Sequence, residues 1–140
     1  MNTSSSRLVR DLMTTNVVTL GRTDSLRSVD DLMRVQRIRH MPIVDEDGSL
    51  VGIVSQRDLF HGGLLRALGY GSHAREQALE GLMTKEAMKT EVITTSGDTP
   101  LAEAAKLMLE RQIGCLVVLE NQKIVGILTE ADFVRLAVSN

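Results

Sequence analysis

LMTTNVVTLGRTDSLRSVDDLMRVQRIRHMPIV, from Leu12 to Val44, decides how this chain is read, because it comes back. At an offset of 75 residues, AMKTEVITTSGDTPLAEAAKLMLERQIGCLVVL (Ala87 to Leu119) repeats its pattern. Met13 meets Met88, Val17 meets Val92, Leu26 meets Leu101, Leu32-Met33 meets Leu107-Met108, and Ile38 meets Ile113. One residue is then dropped in a turn, and LVGIVSQRD (Leu50 to Asp58) meets IVGILTEAD (Ile124 to Asp132). A match at one fixed period marks a supersecondary unit used twice.

Each copy reads in the same order. Thr15 to Thr19 and Thr90 to Thr94 are short β-rich stretches. A helix follows, with Leu26, Val29, Leu32 and Met33 spaced by three and four, repeated by Leu101, Ala104, Ala105, Met108 and Leu109. Asp24 is the expected cap of the first helix. In the second, Thr99 is expected to cap and Pro100 to take the first helical position, with Glu103 near the positive helix end. Two apolar strands come next, MPIV and LVGIV, joined by DEDGS with its Asp47-Gly48 turn signal; the second copy has LVVL, a turn at ENQK, and IVGIL. A closing helix starts near Ser55 and again near Thr129. The expected fold is α/β (α+β), two β-α-β-β-α repeats packed about a pseudo-twofold axis. One unit of ~50–55 residues is marginal alone, so the pair is the expected folding unit. The expected organisation is a disordered tail (1–8), a first repeat (9–62), a connector (63–78) packing against the second copy, and a second repeat (79–140).

Composition narrows the function. Of 140 residues, 43% are hydrophobic and 24% charged, as in soluble globular proteins. No apolar stretch approaches the roughly 20 residues that span a bilayer, and MNTSSSRLVR lacks the apolar segment of a signal peptide. One cysteine, Cys115, precludes an internal disulfide and suits a reducing, cytoplasmic location. The net charge of −2, with two Phe and one Tyr, disfavours nucleic-acid binding.

The repeated Ser55-x-x-Asp58 and Thr129-x-x-Asp132 admit two readings. One is capping: a strand ends, the hydroxyl caps the next helix, and the Asp stabilises its positive end. The other is a ligand site. A hydroxyl and free N–H groups at a helix start can meet an anion, and a carboxylate one turn in can accept from two ribose hydroxyls.

The β-α-β-β-α pair, with RHMPIVDEDGSLVGIVSQRDL and IGCLVVLENQKIVGILTEADF, resembles the cystathionine β-synthase (CBS) domain, a tandem pair of which is called a Bateman module. The likeness covers about residues 9–62 and 79–138. It implies a regulatory role, binding AMP, ADP, ATP or S-adenosylmethionine in inter-repeat clefts. Carried onto matching positions, one site uses Ile53, Ser55, Arg57 and Asp58 with Thr90, Val92 and Ile93. The other uses Ile127, Thr129, Ala131 and Asp132 with Thr15, Val17 and Val18. Where the family often places basic residues that reach phosphates, this chain has Arg39 and His40 in repeat one but Gly114 and Cys115 in repeat two. The Asp58 site is therefore the expected phosphate site, and the Asp132 site the weaker one. The resemblance further implies a homodimer whose ligand-driven change is read by an effector protein.

The remaining candidates are weaker. His61 and His73 lie in the connector region, and no Cys/His/carboxylate spacing supports a metal site. Cys115 opens an apolar strand and reads as a core thiol, and the methionines read as packing residues. Gly52 and Gly126, inside strands, suggest close approach of backbone or ligand. No Walker loop, GxSxG elbow or GxGxxG is present, and no catalytic residue or required cofactor is assigned. The rival readings are an interaction scaffold with empty clefts and, less favoured, a hydrolase using Asp58.

Overall fold

In chain order the elements are α1 (Val9–Leu12), β1 (Leu20–Gly21), α2 (Leu26–Gln36), β2 (His40–Val44), β3 (Leu50–Ser55), α3 (described over 56–60), α4 (Ser72–Glu80), a 3-10 turn (Thr84–Glu86), β4 (Thr94–Thr95), α5 (Leu101–Arg111), β5 (Cys115–Glu120), β6 (Lys123–Thr129) and α6 (Glu130–Ser139). The computed structural model describes residues 7–60 and 72–139; the expected tail over 1–6, His61 and most of the connector lie outside them. The β-α-β-β-α order is present twice. Each copy builds a three-stranded sheet, β1-β2-β3 and β4-β5-β6, with the outer pair antiparallel and the short first strand parallel.

Helices α2 and α5 follow their apolar spacing, burying Leu26, Val29 and Met33, and Leu101, Ala104 and Met108. Both end identically: Arg37 and Gln112 adopt left-handed conformations, which closes the helix end, and the next residues, Ile38 and Ile113, donate back to Met33 and Met108. Their starts differ from expectation by one residue. The first cap is Ser25, whose Oγ accepts from the Ser28 N–H at 3.2 Å, while Asp24 turns back to accept from the Gly21 N–H at 2.6 Å. In the second, Pro100 takes the cap position and Leu101 begins the helix, leaving Thr99 bonded to the Thr95 hydroxyl at 2.9 Å. The paired parallel strands sit at the far end of the β-rich stretches or just past it, at Leu20–Gly21 and at Thr94–Thr95, which shares Thr94 with the expected stretch.

The hairpins turn by different chemistry. Asp47-Gly48 uses glycine at φ 86°, with Ser49 N–H donating to Asp47 Oδ1 at 3.0 Å. Asn121 and Gln122, at φ 51° and 67°, form a two-residue turn with both centres left-handed, the twist that antiparallel strands prefer.

The chain divides into two units that do not coincide with the sequence repeats. One runs from Val18 to Glu91; the other joins the residues up to Val17 to those from Val92 onward. In the first unit, Leu26, Val29, Met41, Ile43, Val54 and Leu59 pack with Leu79 and Leu82. Helix α4, expected in a connector packing against the second copy, shares its core with repeat-one residues, and Arg27 pairs with Glu80 at 3.0 Å and Glu76 at 3.8 Å. In the second unit, Val9 joins Leu101, Ala104, Leu116, Val118 and Leu128. Arg7 and Leu8, expected in the tail, are tied down there: Leu101 N–H donates to the Arg7 carbonyl at 2.9 Å, and Leu8 pairs with Pro100. Fully burying each such Leu or Val stabilises by about 1.5–3 kcal/mol. No helix among the described residues is long and apolar enough to cross a membrane.

Candidate functional site

Each motif sits where a strand passes into a helix, and a third segment is laid along that strand. In the first unit, Lys89 and Ile53 exchange backbone hydrogen bonds, both 2.9 Å. In the second, Thr14 and Ile127 do the same, again at 2.9 Å each way. The strand glycines permit this approach. A Cβ on Gly52 would lie 2.6 Å from Met88 Sδ and 3.0 Å from the Lys89 carbonyl; on Gly126 it would lie 2.5 Å from Met13 Sδ and 3.1 Å from the Thr14 carbonyl. The close approach expected at these glycines is that of protein backbone and a methionine.

Ser55 and Asp58 form a reciprocal cap. Ser55 N–H donates to Asp58 Oδ2 at 2.8 Å, and Asp58 N–H donates to Ser55 Oγ at 3.1 Å. The other carboxylate oxygen, Oδ1, has Lys89 Nζ at 3.7 Å. The Asp58 side chain is 13% exposed and that of Lys89 67%. His40 lies opposite Ser55 in the β2–β3 register, and Gln56 N–H donates to the Arg39 carbonyl at 2.8 Å. Arg39 and Arg57 are exposed, His40 half-buried. The register therefore brings Arg39, His40, Ser55 and Asp58 to one end of the hairpin, with Arg57 inside the motif. Thr90 belongs to this unit and is exposed; Val92 and Ile93 belong to the other, where Ile93 packs against the core.

Asp132 is bonded differently. Oδ2 accepts from Thr129 N–H at 2.8 Å and lies 3.4 Å from the Thr129 hydroxyl. Oδ1 accepts from the Thr14 hydroxyl at 2.9 Å and from Arg135 at 2.7 Å. Asp132 is 3% exposed, so this carboxylate is buried and paired on both oxygens. Opposite Thr129 stands Cys115, buried, its thiol pushed up to about 12 by desolvation. It is a neutral core group, as expected. Gly114 accepts from Glu130 N–H at 3.2 Å, as Arg39 does from Gln56, but brings no side chain. Thr15 and Val17 belong to this unit and Val18 to the other, where it packs against the core.

Two residues escape the sequence reading: Lys89 and Thr14, which touch the two motif carboxylates. Both directly follow an aligned methionine and are equivalent at the 75-residue offset, a signal that was available in their difference. Among the described residues, no three His, Cys, Asp or Glu side chains gather as a metal site would require.

Comparison with known proteins gives this geometry a family. The profile of the CBS domain matches residues 9–63 and 84–139. AcuB of Vibrio cholerae, described as an acetoin utilization protein, is 40% identical with a TM-score of 0.76, over 94% of this chain and 90% of its own. The CBS domain pair of protein MJ0100, solved in complex with 5′-methylthioadenosine and S-adenosyl-L-methionine, is 28% identical with a TM-score of 0.75, over 94% and 96%. Homoserine O-acetyltransferase of Methanococcoides burtonii is 33% identical over 129 residues; that match takes in 91% of this chain and 24% of that protein. Two profile matches in the order of the two sheets, on a fold shared with solved CBS pairs, place the chain in the CBS domain family.

Proposed function

We propose that this chain is a regulatory module without catalysis of its own, binding an adenosyl ligand (AMP, ADP, ATP or S-adenosylmethionine) at the Asp58 site. The observation that carries the reading is the difference between the two carboxylates. Asp132 is bonded on both oxygens, whereas Asp58 Oδ1 faces only an exposed ammonium at 3.7 Å among the groups described around it. A ribose diol needs such an acceptor, Arg39 and Arg57 supply the positive charge a phosphate needs, and His40 offers a further ring N–H donor. The adenosyl ligands of the MJ0100 pair support the ligand class, and the match to 24% of an acetyltransferase supports a module that serves catalytic proteins as well as standing apart from them. We further propose a cytoplasmic homodimer that reports ligand to an effector protein, without nucleic acid or membrane as partner.

A second reading draws on the caps. Both motifs are satisfied by the chain itself, as an interaction scaffold with empty sites would be. Thermal unfolding with AMP, ATP and S-adenosylmethionine separates the two: a ligand at 100 times its Kd adds about 2.7 kcal/mol of stability. A rise in Tm with any of the three is the expected result. No shift with all three, and no adenosyl compound released from the denatured purified protein, would leave the scaffold.

A further inference from the structure

We propose that Lys89 is an electrostatic latch on the Asp58 carboxylate, and that it makes this site prefer adenosyl ligands carrying an anionic group over neutral or cationic ones. The inference rests on the reading that Asp58 receives the ribose of such a ligand. It adds a selectivity that neither the motif nor the family match assigns.

The geometry comes from two independent restraints. The Lys89 backbone is fixed by its paired hydrogen bonds to Ile53, so the root of the side chain cannot drift from β3. Its ammonium is free to swing: the side chain is 67% exposed and ends 3.7 Å from Asp58 Oδ1. A compact charge on a flexible stem, anchored at one end, can leave a carboxylate without disturbing the fold. At this exposure the pair holds weakly, so a ligand can displace it.

Displacement then decides which ligand gains. Ribose hydroxyls that take Asp58 Oδ1 push Nζ away and leave it without a counter-charge. A phosphate on the same ligand supplies a new one, and the lysine passes from carboxylate to phosphate. Adenosine offers none. The sulfonium and ammonium of S-adenosylmethionine add positive charge beside an ammonium already released, although its carboxylate offsets part of this. The second copy differs at this position: the equivalent residue is Thr14, a neutral donor whose hydroxyl bonds Asp132 Oδ1 at 2.9 Å, and the charge on that oxygen comes instead from Arg135 of α6 at 2.7 Å.

Titration calorimetry of AMP, adenosine and S-adenosylmethionine into the full chain tests this, comparing the wild type with Lys89→Met and Lys89→Arg. Lys89→Met keeps the stem and the backbone bonds and removes the charge. It should cut the AMP-to-adenosine affinity ratio by about fivefold, the range of one partly exposed ion pair. Lys89→Arg should restore the ratio, and added salt should lower it more steeply in the wild type than in Lys89→Met, where only the arginines still face the phosphate. If Lys89→Met leaves the ratio unchanged while all proteins bind AMP, the latch is wrong and the adenosyl site stands. If the wild type binds none of the three, the site reading fails and the latch with it.

Discussion

Asp58 and Asp132 hold equivalent places at equivalent strand ends, and the chain treats them in opposite ways. Around Asp132 every partner is internal: Thr14, Thr129 and Arg135 hold the carboxylate, and a buried neutral thiol stands opposite the threonine. Around Asp58 the same scaffold carries Lys89 instead of Thr14, His40 instead of Cys115 and Arg39 instead of Gly114. One duplicated backbone therefore supports a motif whose carboxylate is buried and bonded on both oxygens and a motif with one oxygen held only by an exposed lysine. The backbone geometry is common property; the side chains facing it are where the copies part.

The largest effect expected from this contrast is on affinity. Arg57→Ala should weaken AMP or ATP by about 10- to 100-fold, since a hydrogen bond to a charged group contributes roughly 1.5–3 kcal/mol. Adenosine should barely change, and Asp58→Ala should weaken all three. If calorimetry shows Asp132→Ala abolishing nucleotide binding and Asp58→Ala sparing it, the contrast is inverted. The next effect runs the other way, in stability. Asp132→Ala strands the Thr14 hydroxyl and the Thr129 N–H and should lower the unfolding free energy by about 2 kcal/mol. Asp58→Ala loses a cap on a more open site, about 1 kcal/mol. Equal shifts in urea midpoint for the two variants would erase the distinction between closed and open motifs.

A smaller effect probes what the copies share. Gly52→Ala and Gly126→Ala each press a Cβ on a methionine and a neighbouring carbonyl, and each should cost about 1–2 kcal/mol. Similar losses would show a common scaffold, whereas a loss confined to one copy would show that the laid-on segments differ in tightness. The smallest signal concerns Cys115. Burial raises the thiol above its ordinary value to about 12, so the folded protein should resist alkylation at mildly alkaline pH and react once unfolded. The sign follows from the neutral thiol being favoured by folding: this contribution is complete below the ordinary thiol pKa and is lost as pH climbs towards about 12. Rapid labelling of the native chain would contradict that burial.

Much of the fold was legible because hydrophobic period and turn chemistry are local. Leu26, Val29 and Met33 announce a helix, and Asp47-Gly48 announces a hairpin. The caps were off by one where cap-forming residues cluster: Thr23, Asp24 and Ser25 stand together, and Asp24 turns away to Gly21 while its backbone and that of Leu26 are held by Thr84 and Leu82. Two-residue strands such as Leu20–Gly21 carry no alternation to read. The unit boundaries were hidden for a different reason. A repeat in sequence reports duplication, whereas membership of a core depends on which segment lands on which glycine. Lys89 and Thr14 stayed invisible because alignment rewards the positions that agree, and these two differ.

The exchange of leading segments has a consequence for synthesis. Everything in the Val18–Glu91 unit is made in one continuous run, so its sheet can close while the chain is still being extended. Thr14 must wait: its carboxylate partner, Asp132, lies 118 residues downstream. At about 5–20 residues per second, that is several seconds in which Val9, Met13 and Thr14 have left the ribosome with no place to dock. The segment ahead of the first unit is thus among the last to be folded: residues 97–101 receive Arg7 to Arg10, and β6 then receives Thr14.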